Sequence, residues 1–136
     1  MTAAPALVRL KTRPQFLKLA AQGNKAVRPT LILQALPLRE VEQTRAKIIA
    51  RQPHLADAIF LGFTASKKVG NAIARNRAKR RLTALSREVL PKLAPTGWAF
   101  VIIARRSSVG SPFAKLDEDL RKALNQVLTS KSSRNV

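Results

Sequence analysis

Cysteine is absent from the 136-residue chain, which excludes disulfides, thiolate metal ligation and a cysteine nucleophile together. Histidine occurs once, at His54, so a catalytic triad would have to use it, and imidazole ligation of zinc is equally short of ligands. Acids are scarce: seven Asp and Glu stand against 26 Lys and Arg. Few and scattered, they argue against a nuclease that works through its own carboxylates. No apolar stretch approaches the roughly 20 residues of a membrane span. The opening "MTAAPALVRLKTRPQF" is interrupted by Arg9, Lys11 and Arg13, where a signal peptide keeps an unbroken apolar run. The expectation is a cytoplasmic protein with no membrane partner.

What is present is apolar residues and positive charge. A hydrophobic content of 46% supplies a single core for a chain of this length. The formal charge of +19 and pI near 12.0 mean strong self-repulsion, which points to a polyanionic partner. Nucleic acid leads, because neutralising phosphates releases condensed counterions. An anionic membrane surface comes second, since it also asks for an exposed amphipathic face.

Pro14 fits the first turn of a helix through "QFLKLAAQG", stopped at Gly23 and Asn24. "PTLILQALPL", residues 29–38, reads as a strand. Residues 39–57 mix both charge signs and look like an excursion from the core, with His54 a loop residue. "AIFLGFTAS", 58–66, alternates Ile59, Leu61 and Phe63 on one side with Phe60, Gly62 and Thr64 on the other. The near-continuous apolar run "GWAFVIIARR", 97–106, predicts a central strand, with Trp98 packing at the sheet end. Phe113, Leu116, Leu120, Leu124 and Val127 form the stripe of a last amphipathic helix over 111–128. Asp117, Glu118 and Asp119 fall in its early turns, where acids complement the helix dipole. Residues 130–136 are expected to form a disordered tail beyond a folded core of about 8–129, in one domain over 1–136.

Between these lies "NAIARNRAKRRLTALSRE", 71–88, helical to about Leu90 because Pro91 follows. At about 100° per residue, Ala74, Ala78, Leu82, Leu85 and Val89 fall within about 80° of one another and form a buried stripe. Arg75, Asn76, Arg77, Lys79, Arg80, Arg81 and Arg87 cover the remaining arc. Every charged residue from Lys67 to Arg87 is basic, and like charges at i,i+4 disfavour a helix by a few tenths of a kcal/mol per pair. A solvated face would mix signs. An arginine-dominated one suits phosphate, which the planar guanidinium binds in bidentate fashion. Lys67 and Lys68 precede the helix N-terminus, Gly70 supplies the turn's unusual dihedral, and Asn71 caps the helix.

"GFTASKKVGNAIARNRAKRRL", 62–82, resembles the signature of the protein subunit of bacterial ribonuclease P, with supporting matches in "RLKTRPQF" and "WAFVIIAR". The resemblance implies an α+β fold: an α-β-β-β-α-β-α sandwich with a left-handed β-α-β crossover. It implies an RNA-binding subunit of an endoribonuclease that removes the 5′ leader of precursor tRNA. The catalytic centre would lie in the RNA, with Mg2+ bound mainly by the RNA subunit and substrate, and the protein would be a monomer within the holoenzyme. By position, Lys67, Lys68, Arg75, Asn76, Arg77, Lys79, Arg80 and Arg81 would meet the catalytic RNA. Phe16, Lys18 and the sheet residue Leu33 would line the leader cleft, aromatic surface and charge together serving single-strand recognition. The sequence departs from the family pattern at Thr83, where another Arg is usual, at Arg81, more often aliphatic, and at Leu33, often aromatic. The rival reading is a structural RNA-binding protein such as a ribosomal component.

Overall fold

The computed structural model describes residues 7–10, 13–37, 41 and 58–134. His54 and, apart from the buried Val41, the 39–57 segment lie outside them. In chain order the elements are β1 (Leu7–Arg9), α1 (Arg13–Gln22), β2 (Asn24–Val27), β3 (Leu31–Pro37), β4 (Ile59–Thr64), a 3-10 turn (Lys67–Val69), α2 (Ala72–Leu93), β5 (Trp98–Ala104), the one-turn α3 (Ser107–Gly110) and α4 (Phe113–Arg134).

The five strands form one mixed sheet in the order β1-β4-β5-β3-β2. The apolar run of β5 is central as expected, parallel to β4 and antiparallel to β3. Helix α2 connects the parallel pair β4 and β5. Strand β1 was not legible in the sequence: three residues carry too little periodicity, and its pairing with β4 is parallel and long-range.

Alternation divides the sheet side chains between two cores. Leu31, Leu33, Ala35, Ile59, Leu61, Phe100 and Ile102 pack under α2 and α4, against Ala78, Leu82, Leu85, Val89, Leu116, Leu120 and Leu124. Phe60, Ala99, Val101 and Leu36 pack on the opposite face with Leu19 and Phe16 of α1. Each fully buried Leu or Phe contributes about 1.5–3 kcal/mol relative to exposure, so burial on both faces fixes the register. Trp98 is buried and stacks on Phe100, with ring centroids 6.1 Å apart.

Three helix boundaries or faces differ from expectation. Helix α2 continues through Pro91 to Leu93; a proline in the last turn forgoes one N–H bond, and the helix still closes with the Ala94 amide on the Leu90 carbonyl, 2.9 Å. Helix α4 runs through Arg134, so the tail expected from residue 130 is helical backbone as far as that residue. Phe113, placed on the buried stripe by spacing, is 40% exposed, because it stands in the first turn, ahead of the contact with the sheet.

Candidate nucleic-acid interface

The basic site is built where β4 gives way to α2. Ser66 accepts a bond from the Lys68 amide, 3.3 Å, and caps a 3-10 turn that leaves Lys67 and Lys68 exposed. Those lysines therefore occupy a turn of their own beyond the strand. Gly70 has φ +146, a conformation that L side chains rarely adopt. Asn71 then caps α2, its side chain accepting from the Ala74 amide at 2.9 Å. Local sequence thus turns the chain sharply and aims the first turns of α2 beside the two lysines.

On α2 the inner side holds Ala78, Leu82, Leu85, Ser86, Val89 and Leu90, all buried. The outer side exposes Asn76, Arg77, Lys79 and Arg80, with Arg75 half-buried. Among the described residues no carboxylate lies within ion-pair distance of any α2 cation, whereas the acids of α4 are all paired. Asp117 meets Arg121 at 2.8 Å, Glu118 meets Lys115 and Lys122, and Asp119 meets Arg28 and Lys115. Among the described residues no three His, Asp or Glu side chains gather as a metal site.

Arg81 departs from its expected role. Its guanidinium donates to the carbonyls of Ser108 at 2.8 Å and Val109 at 2.9 Å, and to that of Ser111. It is thus turned toward α3 and partly buried, away from the outer arc. Arg77 sends its Nε to the Val109 carbonyl, 3.1 Å, from an exposed position. Nothing in the sequence signalled these bonds, because their acceptors are backbone atoms 27 to 32 residues away. Thr83 returns its hydroxyl to the Lys79 carbonyl, 2.7 Å.

On the other face, Phe16 lies over Gly62: a Cβ built there would stand 2.6 Å from the ring's Cε1 and Cζ. A glycine inside a strand pattern marks such a close approach, and this signal was available in the sequence. Leu33 does not share that face. It is fully buried beneath α2 and α4, since strand alternation sends it opposite to its neighbours. The β3 residues on the Phe16 side are Ile32, Gln34 and Leu36, of which Leu36 is fully buried. Ile32 belongs to a row across the sheet, Thr64–Ile103–Ile32–Val27, set by direct strand pairing. The first three are half-buried and Val27 is 55% exposed, which makes an aliphatic floor beside Phe16. Lys18 is half-buried, but two residues along a helix is about 200° of rotation, so it does not share the side of Phe16. Arg13, at i−3, does and is exposed.

The family model for ribonuclease P matches residues 4–128. The chain belongs to the ribonuclease P protein family. It is 40% identical over 124 residues to the ribonuclease P protein component of Paramagnetospirillum magneticum, covering 91% of this chain and 85% of the relative. Against that of Ruegeria pomeroyi it is 42% identical over 119 residues, covering 87% and 84%. Its fold is similar to the solved ribonuclease P proteins of Thermotoga maritima, with TM-score 0.67 at 21% identity and coverage of 88% and 96%, and Staphylococcus aureus, with TM-score 0.63 at 20% identity and coverage of 86% and 92%. At those identities the likeness carries the mixed α+β architecture and no residue roles.

Proposed function

We propose that this ribonuclease P family member is the RNA-binding subunit of a ribonucleoprotein that cleaves the 5′ leader from precursor tRNA, with the catalytic centre in the RNA. One observation carries the reading: α2 and its preceding turn present Lys67, Lys68, Arg75, Arg77, Lys79 and Arg80 with no acidic partner among the described residues. Phosphates of the catalytic RNA supply the missing counter-charge, and Asn76 adds a polar contact among them. The substrate leader runs over the opposite face, across Phe16 and the Ile32–Ile103 row, with Arg13 as the nearby cation. An aliphatic floor favours sequence-tolerant contact with unpaired bases.

Mg2+ belongs to the RNA and substrate in this scheme, because the α4 carboxylates are spent on Arg, Lys and Thr partners. The protein, present as one copy, lowers phosphate repulsion between RNA and leader, so substrate and metal bind at lower magnesium. Reconstitution tests this. The protein alone leaves precursor tRNA uncut, and adding it to the cognate RNA restores cleavage at low magnesium. Cleavage by the protein alone, or no effect on the RNA, refutes it. Arg75→Ala and Arg80→Ala each lower the salt slope of RNA binding by about one; unchanged slopes refute direct phosphate contact.

A further inference from the structure

We propose that Arg81, although it stands in the basic run of α2, is a positioning residue: it clamps α3 to α2 and thereby holds the exposed Arg105–Arg106 pair in register with the RNA-facing arc. The inference rests on the RNA-binding reading above for its functional part, and on geometry alone for the clamp.

The carbonyls to which Arg81 donates, those of Ser108, Val109 and Ser111, belong to α3 and the residue after it. Helix ends leave such carbonyls without intrahelical partners. Three acceptors at different angles suit a planar guanidinium with its fork of donors, which a lysine ammonium on a flexible stem does not reproduce. Arg77 joins on the Val109 carbonyl, so two side chains one helical turn apart grip the same peptide.

The far side of α3 is fastened elsewhere. Ser107 donates its hydroxyl to the Pro29 carbonyl, 2.6 Å, and Ser108 donates to the Thr30 carbonyl while accepting the Arg105 amide at 2.9 Å. Arg105 itself donates to the Arg28 carbonyl, 2.9 Å. The turn is therefore a bridge between the β2–β3 connection and α2, and Arg81 with Arg77 forms its attachment to the helix. Arg105 and Arg106 are exposed on the strand side of that bridge. Loosening the α2 end lets them shift relative to Arg80 and Lys79.

The test compares full-length Arg81→Leu, Arg81→Lys and Arg80→Ala by affinity for the cognate RNA across a salt series and by amide exchange. The probes are the Ser108, Val109 and Ser111 amides, which bond to Arg105, Arg106 and Ser107. Arg81→Leu is expected to speed exchange at these amides at least tenfold and to weaken RNA binding several-fold with the salt slope unchanged. Arg81→Lys keeps the charge and behaves the same way in exchange, which also secures the test should the leucine variant fold poorly. Arg80→Ala lowers the slope by about one and leaves exchange as it was. The proposal is overturned if Arg81→Lys restores affinity with native exchange, or if Arg81→Leu lowers the slope by about one. An unchanged slope in Arg80→Ala instead removes the phosphate-contact reading of α2, and the exchange result still decides the clamp.

Discussion

Asp119 offers the sharpest test of the scaffold beneath the interface. The residue is fully buried and accepts two bonds from Thr30, from its amide at 3.0 Å and from its hydroxyl at 2.6 Å, both on Oδ2. Its other oxygen faces the Arg28 Nε at 3.5 Å, and neither of those atoms has a hydrogen-bond partner, so that contact is purely electrostatic. Asp119→Ala strands the Thr30 amide and hydroxyl in a residue 2% exposed and leaves the Arg28 charge uncompensated. Each buried orphan costs about 1–3 kcal/mol, and removing one partner of a buried ion pair about 3–5 kcal/mol. The Arg28 side chain is 24% exposed, so water takes up part of the second cost, and the expected loss is about 3–5 kcal/mol, carried mainly by the two Thr30 orphans. With an m-value of about 2 kcal/mol/M, the urea midpoint falls by about 1.5–2.5 M at unchanged m. Asp119→Asn keeps an acceptor for Thr30 and loses the charge, for about 1–2 kcal/mol. A loss under about 1 kcal/mol in Asp119→Ala, the value of an exposed pair, refutes the reasoning.

The pH dependence has a definite sign. Burial pushes the Asp119 carboxyl up, but the Thr30 hydroxyl and amide, with Lys115 and Arg28, pull it further down, so it lies below the ordinary carboxylate range. The folded state then holds fewer protons than the unfolded one between the two pKa values. The stabilisation is present in full above the unfolded value, about 3.9, and is lost as pH falls through the folded value. The gap between wild type and Asp119→Asn is therefore full near neutrality and closes in acid; a gap that widens in acid contradicts this assignment.

Three further outcomes follow from the two faces. Gly62→Ala forces the Phe16 ring off the sheet and costs about 1–3 kcal/mol, read by urea titration, and weakens binding of leader-bearing substrate relative to leaderless tRNA. Leu33→Ala costs about 2–5 kcal/mol as a core cavity with little change in leader discrimination once folded, whereas Ile32→Ala reduces discrimination at a smaller stability cost; the reverse pattern returns Leu33 to the cleft. Gly70→Ala places a side chain at φ +146, with its Cβ 2.9 Å from that of Ala74, and costs about 1–3 kcal/mol, measured by thermal or urea unfolding.

The sequence made legible what depends on period and local chemistry. Alternation in "AIFLGFT" separated the two faces of β4, the small apolar stripe of α2 gave its packing side, and Gly70 with Asn71 announced the turn and cap. What it left hidden depends on partners distant along the chain. Strand β1 exists through pairing with β4. Leu33 was assigned from a motif position, and its side of the sheet was decided by strand parity against β5. Asp119 looked like an ordinary acid of an early helical turn, yet Thr30, 89 residues away, determines its environment.

The charge on α2 has two physical fates. Its i,i+4 like-charge pairs, Arg75 with Lys79 and Arg77 with Arg81, appear equivalent along the sequence and are equally unfavourable in an isolated helix. In the folded chain Arg77 and Arg81 both turn to the Val109 carbonyl, so a peptide dipole sits between the two charges and offsets their repulsion. Arg75 and Lys79 have no such bridge among the described residues, and Lys79 is exposed. Of these two pairs, one is thus eased within the protein, and the other is eased when a polyanion binds. A binder that neutralised the whole face internally would gain stability and lose counterion release as a driving force; one that neutralised none of it would lack the bonds that fix α3. The division between Arg81 and Arg80, adjacent residues of identical chemistry, is where this chain separates folding from recognition.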